Sequence, residues 1–348
     1  MDTRIRSIVS AARTQLLKPW QGPDAASRCP PGPHSCVEPD IQPESRCVYE
    51  SQPMSSSCSS LRLAQNVRPR LALVLGSGGV RSIAAVGIAE VLRNAGIEPD
   101  LIVGCSSGAL FGASIATGMS SEEALKQATS LWSQELTEQR RWKAYPQLIA
   151  PRLAGFDAGF SLRDDRLIAQ RIEQAFGPRL LQHLPVALRV AATDARTGEP
   201  VLLTQGRVVD ALRASMAVPF LFPSVTVDGR RLVDGVISDP LPIAAAADAD
   251  VVVALGFEGA MPRKVDRASR LVAQVSTALI NNLQQARLNA ARATGRRLVC
   301  IELVADPRIG LWQTAAMPAL YEAGRQAAIA RLPDILALLR ASERQQAA

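Results

Sequence analysis

Histidine is nearly absent from this chain: His34 and His183 are the two in 348 residues. His34 lies in a Pro- and Cys-rich stretch, and His183 lies in Leu181-Gln182-His183-Leu184-Pro185, just before an expected strand. Neither has a catalytic setting, so a serine–histidine–aspartate triad is not expected. Any activated serine must then rely on a carboxylate or a lysine. Aromatic residues make up 4 % of the chain, which points to an aliphatic, Ala-rich core. No segment reaches the roughly 18 apolar residues that span a bilayer. The N-terminal Met1-Asp2-Thr3-Arg4-Ile5-Arg6 is not followed by the apolar region of a signal peptide. Four of the six cysteines, Cys29, Cys36, Cys47 and Cys58, sit near the N-terminus without a compact zinc spacing. No metal is expected, and the expected location is the cytoplasm.

What is present suffices for one large α/β domain with appendages. Hydrophobic residues form 47 % of the chain, and the net charge is +7. A basic surface suits anionic partners, nucleic acid and anionic lipid headgroups among them, and a generic arginine-rich surface is the plainer reading. No run of Lys and Arg with interleaved aromatics suggests a nucleic-acid face, so nucleic acid is not an expected partner. Residues 1–69 are rich in Pro and Ser without a hydrophobic period and read as a disordered tail. A domain over 70–340 follows.

Order begins with Leu71-Ala72-Leu73-Val74-Leu75, a continuous apolar run of the kind buried in parallel sheets. A glycine-rich turn and a helix to Asn94 follow, then a strand at Leu101–Val103 and a helix from Ser107. Ser120-Ser121-Glu122-Glu123 has the form of a capped helix start. Residues 138–162 are irregular, with Trp142, Tyr145, Phe156 and Phe160, and read either as a pocket cover or as a long connection. Strands are expected at 186–192, 200–203, 224–227, 231–233, 251–255 and 298–303, with a long helix over 265–293. This order argues for a mostly parallel sheet with helices on both faces.

Ser106 stands at the apex of Gly104-Cys105-Ser106-Ser107-Gly108, between a strand and a helix. Such a turn lifts a hydroxyl out of the backbone, and its flanking glycines leave room beside it. Gly76-Ser77-Gly78-Gly79 ends the first strand. The turn lacks the third glycine of a dinucleotide site, since position 81 is Arg, and the Lys-Ser/Thr of a P-loop. Its other use is as an oxyanion hole of free N–H groups, with Arg81 orienting the loop or holding an anionic headgroup. The base candidate is Asp234 in Leu232-Val233-Asp234-Gly235-Val236, followed by the rigid Asp239-Pro240-Leu241-Pro242.

These segments, with Arg213-Ala214-Ser215-Met216-Ala217-Val218-Pro219 between them, make the chain resemble the bacterial patatin-like phospholipases over about residues 70–335. The resemblance implies a three-layer α/β fold with a mostly parallel central sheet. It implies Ser106 as nucleophile, Asp234 as base and an oxyanion hole at Gly78, Gly79 and Arg81. Gly76, Gly104, Gly108 and Gly235 would support the motifs. It also implies ester hydrolysis without cofactor or metal, on phospholipid, lysophospholipid or related lipid esters, with peripheral membrane contact. Transacylation, thioester cleavage or a weakly active binding role are the alternatives. Two positions depart from the family pattern. Ser82 replaces a glycine and is expected to be strained, and Val236 is expected to crowd the base.

Overall fold

The computed structural model of the protein describes residues 68–262, 264–303 and 309–347. The expected tail at 1–69, with His34 and the four early cysteines, falls almost wholly outside them.

Five strands form the parallel part of one sheet: β1 (Leu71–Leu75), β2 (Leu101–Cys105), β3 (Ala187–Asp194), β7 (Val251–Gly256) and β8 (Leu298–Glu302). The antiparallel strands are β4 (Pro200–Leu203), β5 (Val225–Val227) and β6 (Arg230–Asp234). The order is β5-β6-β3-β2-β1-β7-β8, with β4 paired to β3. β1 sits in the middle with parallel neighbours β2 and β7. The chain therefore leaves β1 in one direction and later returns on its other side. Such a switch point opens a crevice at the carboxyl edge of the strands.

Side-chain alternation sorts β1 into two faces. Leu71, Leu73 and Leu75 pack with α1 (Ala84–Asn94), α2 (Ser107–Ala116) and the C-terminal helix α8 (Met317–Gln346). α3 (Ser121–Leu131), α5 (Arg166–Phe176) and α6 (Val208–Ser215) extend that layer. Ala72 and Val74 face the other way, onto Leu241, Ile243, Leu288 and Ala291. Leu288 and Ala291 belong to α7 (Ala268–Ala293). Helix, sheet and helix thus form three layers, as expected.

The Ser120 side chain and Glu123 make the reciprocal capping box that the sequence promised. The turn at Asp228-Gly229, with φ of 49° and 73°, makes the β5–β6 hairpin tight. The C-terminal helix α8 continues unbroken through Pro333. Residues 138–162 contain one short helix, α4 (Ala144–Ile149). They contribute nothing to the lining of the Ser106 pocket, so the cover reading is replaced by that of an exposed connection.

Candidate active site

β1 and β2 pair with Leu75 opposite Gly104. Both of their C-terminal turns therefore open side by side at the carboxyl edge. Ser106 has φ 54° and ψ −125°, outside the regions a serine ordinarily adopts. The strain is held from both sides. A Cβ on Gly108 would lie 2.4 Å from the Leu75 carbonyl oxygen, and one on Gly104 would lie 2.4 Å from Ala109 Cα. The Ser106 N–H donates to Ser215 Oγ at 2.8 Å, and that hydroxyl donates to the Ala191 carbonyl at 2.6 Å.

Asp234 reaches Ser106 through strand register. β2 runs parallel along β3 until Cys105 meets Ala191. β6 runs antiparallel along β3 and ends with Asp234 opposite Ala192. β4 occupies the other edge of β3 over the same residues, so β2 and β6 share one edge and meet end to end. Ser106 Oγ there donates to Asp234 Oδ2 at 2.7 Å. The Val236 N–H donates to the other carboxylate oxygen, Oδ1, at 2.9 Å.

Asp234 is fully buried. Burial pushes its carboxyl up to about 7, against the pull of the hydrogen bonds from Val236 and Ser106. Thr193 Oγ1 donates to the Asp234 carbonyl at 2.9 Å and lies 2.8 Å from Ser238 Oγ. Arg287 of α7 donates to the Ser238 carbonyl and pairs with Asp239 at 3.2 Å. Asp239 still rises to about 6, because burial outweighs the arginine.

The glycine-rich turn is tied down almost atom by atom. Gly76 N–H donates to the Leu255 carbonyl, Ser77 N–H to that of Pro240 and Val80 N–H to that of Leu311. Gly78 N–H reaches Ser107 Oγ at 3.2 Å, and Arg81 N–H turns back to the Gly78 carbonyl at 3.3 Å. Gly79, at φ 62°, lines the pocket, and its N–H has no recorded partner among the described residues. Arg81 is 6 % exposed, and its Nε has no hydrogen-bond partner among the described residues. Desolvation lowers its pKa.

The expected strain at Ser82 is absent. Ser82 lies in a 3-10 turn over Gly79–Ile83 and has no positive φ. Its hydroxyl lies 2.9 Å from Ser107 Oγ and donates to the Gly76 carbonyl at 3.3 Å. A side chain here therefore braces the glycine turn against α2. Val236 packs on Cys105 and Ala191 while its N–H serves the carboxylate. His183 is exposed and does not line the pocket. Ser215 lies within one of the motifs above without an evident task there, and Thr193 lies in none. Neither position carries a local signal, since each acts through a partner far away in the chain.

The pocket holds about 220 Å³. Ser106 and Asp234 line it together with Trp132, Phe222, Phe257, Ile280 and Trp312. Trp132 and Trp312 stack with ring centres 4.4 Å apart. Asn281 of α7 exchanges two hydrogen bonds with Gly259, each 2.9 Å, which holds the chain after β7 against the helix.

Fold and site together define a three-layer α/β protein with a serine elbow, a glycine turn and a buried carboxylate at one sheet edge. Residues 73–247 match the family model described as patatin-like phospholipase. The chain belongs to the patatin-like phospholipase family. An uncharacterized NTE family protein of Mycobacterium tuberculosis is 34 % identical over 203 residues, 58 % of this chain and 52 % of that protein. A second one from the same species is 30 % identical over 329 residues, 86 % of this chain and 53 % of that protein. Patatin-like phospholipase domain-containing protein 7 of Rattus norvegicus is 31 % identical over 190 residues, 53 % of this chain and 13 % of that protein. The chain thus spans about half the length of the mycobacterial relatives.

Proposed function

We propose that the protein is a serine acyl hydrolase of lipid esters, with Ser106 as nucleophile and Asp234 as general base. The observation that carries this reading is the 2.7 Å hydrogen bond between Ser106 Oγ and the buried Asp234 carboxylate, both of which line a largely apolar pocket.

Asp234 takes the Oγ proton as Oγ bonds to the acyl carbon. The carbonyl oxygen becomes an oxyanion facing the Gly79 N–H, while the Gly78 N–H, which donates to Ser107 Oγ, holds the turn beside it. The buried Arg81 charge supports that turn. Each well-aimed donor is worth about 3 kcal/mol at the transition state. Collapse breaks the ester C–O bond, and the departing alcohol takes the proton from Asp234. Water then attacks the acyl-serine, giving its proton to Asp234. Ser106 recovers that proton as the fatty acid leaves. A carboxyl titrating near 7 suits this exchange, since an acid–base catalyst is most efficient near working pH.

The reaction as written needs no cofactor. Apolar walls fit an acyl chain, and this is what favours phospholipids, lysophospholipids or other lipid esters as substrates. The test is labelling with a fluorophosphonate and hydrolysis of p-nitrophenyl esters and lysophospholipid. Labelling confined to Ser106, and lost in Ser106→Ala, is the expected result. Full activity in Ser106→Ala or Asp234→Asn would overturn the proposal.

A further inference from the structure

Residues 140–156 expose a run of large apolar side chains, including the two most exposed among the described residues, whereas α7 exposes Leu271, Val272, Val275 and Leu279 without neighbouring aromatics. Trp142 is 73 % exposed, Ile149 85 % and Leu153 93 %, with Tyr145, Leu148 and Phe156 also open. Aromatics are scarce in this sequence, yet Trp142 and Tyr145 lie with ring centres 5.8 Å apart on this segment. The sequence from 139 to 156 holds Arg140, Arg141, Lys143 and Arg152 and no acidic residue. Arg140, Lys143 and Arg152 are exposed and have no recorded ion pair among the described residues. The stretch Arg140-Arg141-Trp142-Lys143-Ala144-Tyr145 does interleave basic and aromatic side chains, which corrects the sequence reading that no run does.

The segment is tied to the pocket wall. Arg141 donates to Ser161 Oγ at 2.6 Å, and its N–H donates to the Leu162 carbonyl at 3.1 Å. Leu162 and Arg163 N–H in turn donate to the Phe220 and Leu221 carbonyls at 2.8 and 2.9 Å. Val218 and Phe222, on either side, line the Ser106 pocket.

We propose that residues 140–156 form a docking surface for an anionic membrane. Trp and Tyr favour the headgroup level, aliphatic side chains favour the acyl boundary, and Lys and Arg favour anionic headgroups. The aliphatic share, Leu148, Ile149 and Leu153, favours hydrocarbon over nucleic-acid bases. The choice of a lipid surface rests on the lipid-ester reading of the pocket. Docking here would place that pocket's wall against the source of its substrate.

The test is flotation of the full chain with vesicles of phosphatidylcholine alone and of equal parts phosphatidylcholine and phosphatidylglycerol. The expected result is partition onto the anionic vesicles that weakens with salt. Trp142→Ser, Ile149→Ser and Leu153→Ser combined should lower it by about tenfold or more, as should Lys143→Glu with Arg152→Glu. Tryptophan emission should shift to the blue on those vesicles, except in Trp142→Phe. The triple variant should hydrolyse a soluble short-chain ester within about twofold of the parent rate, because none of its residues lines the pocket.

Unchanged vesicle partition in the triple variant overturns the proposal. So does a fall in its melting temperature, or conversion of a dimer to monomer, with partition unchanged. Those results would assign the face to another part of this chain or to a second copy. Binding to a single-stranded oligonucleotide that the variants abolish, with partition unchanged, would assign it to nucleic acid. Equal partition onto both vesicle types overturns the electrostatic half. A parent chain that hydrolyses no ester but still floats by this surface would sink the enzymatic reading and leave the docking surface standing.

Discussion

Around Ser106 the chain buries polar groups, whereas between Arg140 and Phe156 it exposes apolar ones. In the first region Ser82, Ser106, Ser107, Thr193, Ser215 and Asp234 are all buried, and each has a hydrogen-bond partner. In the second, large apolar side chains stand open beside Arg140, Lys143 and Arg152, which have no ion pair among the described residues. Burying polar groups is tolerable only when they are satisfied, and exposing apolar ones persists where something else is to cover them. The contrast teaches a division of labour. The first region is cross-linked by hydrogen bonds around Ser106, and the second, which we propose docks on a membrane, has few polar contacts to lose.

The comparison breaks if the buried region tolerates substitution. Ser106→Ala and Asp234→Asn should each lower kcat/KM on soluble esters by about 10³-fold or more, with circular dichroism unchanged. Retention of more than a tenth of the activity would show that the Ser106–Asp234 pair does not perform the chemistry.

Titration comes next in size. Activity that needs the Asp234 carboxylate should rise with pH and level off above about 7. The same group sets a stability trend. Its folded pKa lies above the ordinary 3.8, so the folded chain holds this proton more tightly than the unfolded one. The stabilisation is complete below about pH 4 and is lost as pH rises through about 7. Asp234→Asn should therefore melt higher than the parent at pH 8, with the gap closing towards pH 4. The gap would reach roughly 4 kcal/mol at most. A gap that widens on acidification would contradict the buried carboxyl.

Ser215→Ala should cost less. It leaves the Ser106 N–H and the Ala191 carbonyl without their shared partner, a penalty of about 1–3 kcal/mol in stability. Because the elbow loosens, kcat should fall by about tenfold or more while KM changes little. Ser215→Cys, which keeps a weak donor and acceptor, should recover part of the loss. The same KM–kcat pattern in a distant core variant of equal instability would make Ser215 merely structural.

The smallest effect should come from the exposed region, where Trp142→Ser or Leu153→Ser should shift stability by less than about 0.5 kcal/mol. A larger loss would mean that this face is already covered.

Much of the site was legible because it is written in short motifs. A glycine pair around Ser106 dictates an elbow wherever a strand precedes and a helix follows. The glycine turn after Leu75 is equally local. The shortage of histidine directed attention to a carboxylate, and Asp234 stood out at a strand end. Ser82 was misread because a family's glycine at that position suggests positive φ, while the chain forms a 3-10 turn there and gives the hydroxyl two partners. Residues 138–162 were ambiguous because apolar side chains look alike in sequence whether they cover a pocket or face outward.

By itself, the sequence determined most of the strand and helix order, the family resemblance and which serine, carboxylate and glycine turn to propose for the site. These depend on hydrophobic period and on turn chemistry within a few residues. Only the tertiary structure decided that β2 and β6 share one edge of β3 and end head to head, which brings Ser106 to Asp234 across 128 residues. It also decided that Ser215 and Thr193 secure that meeting, and that the Trp142 face looks outward. Register between distant strands and the side a connection faces are set by packing of the whole sheet, and no local stretch of chain encodes them.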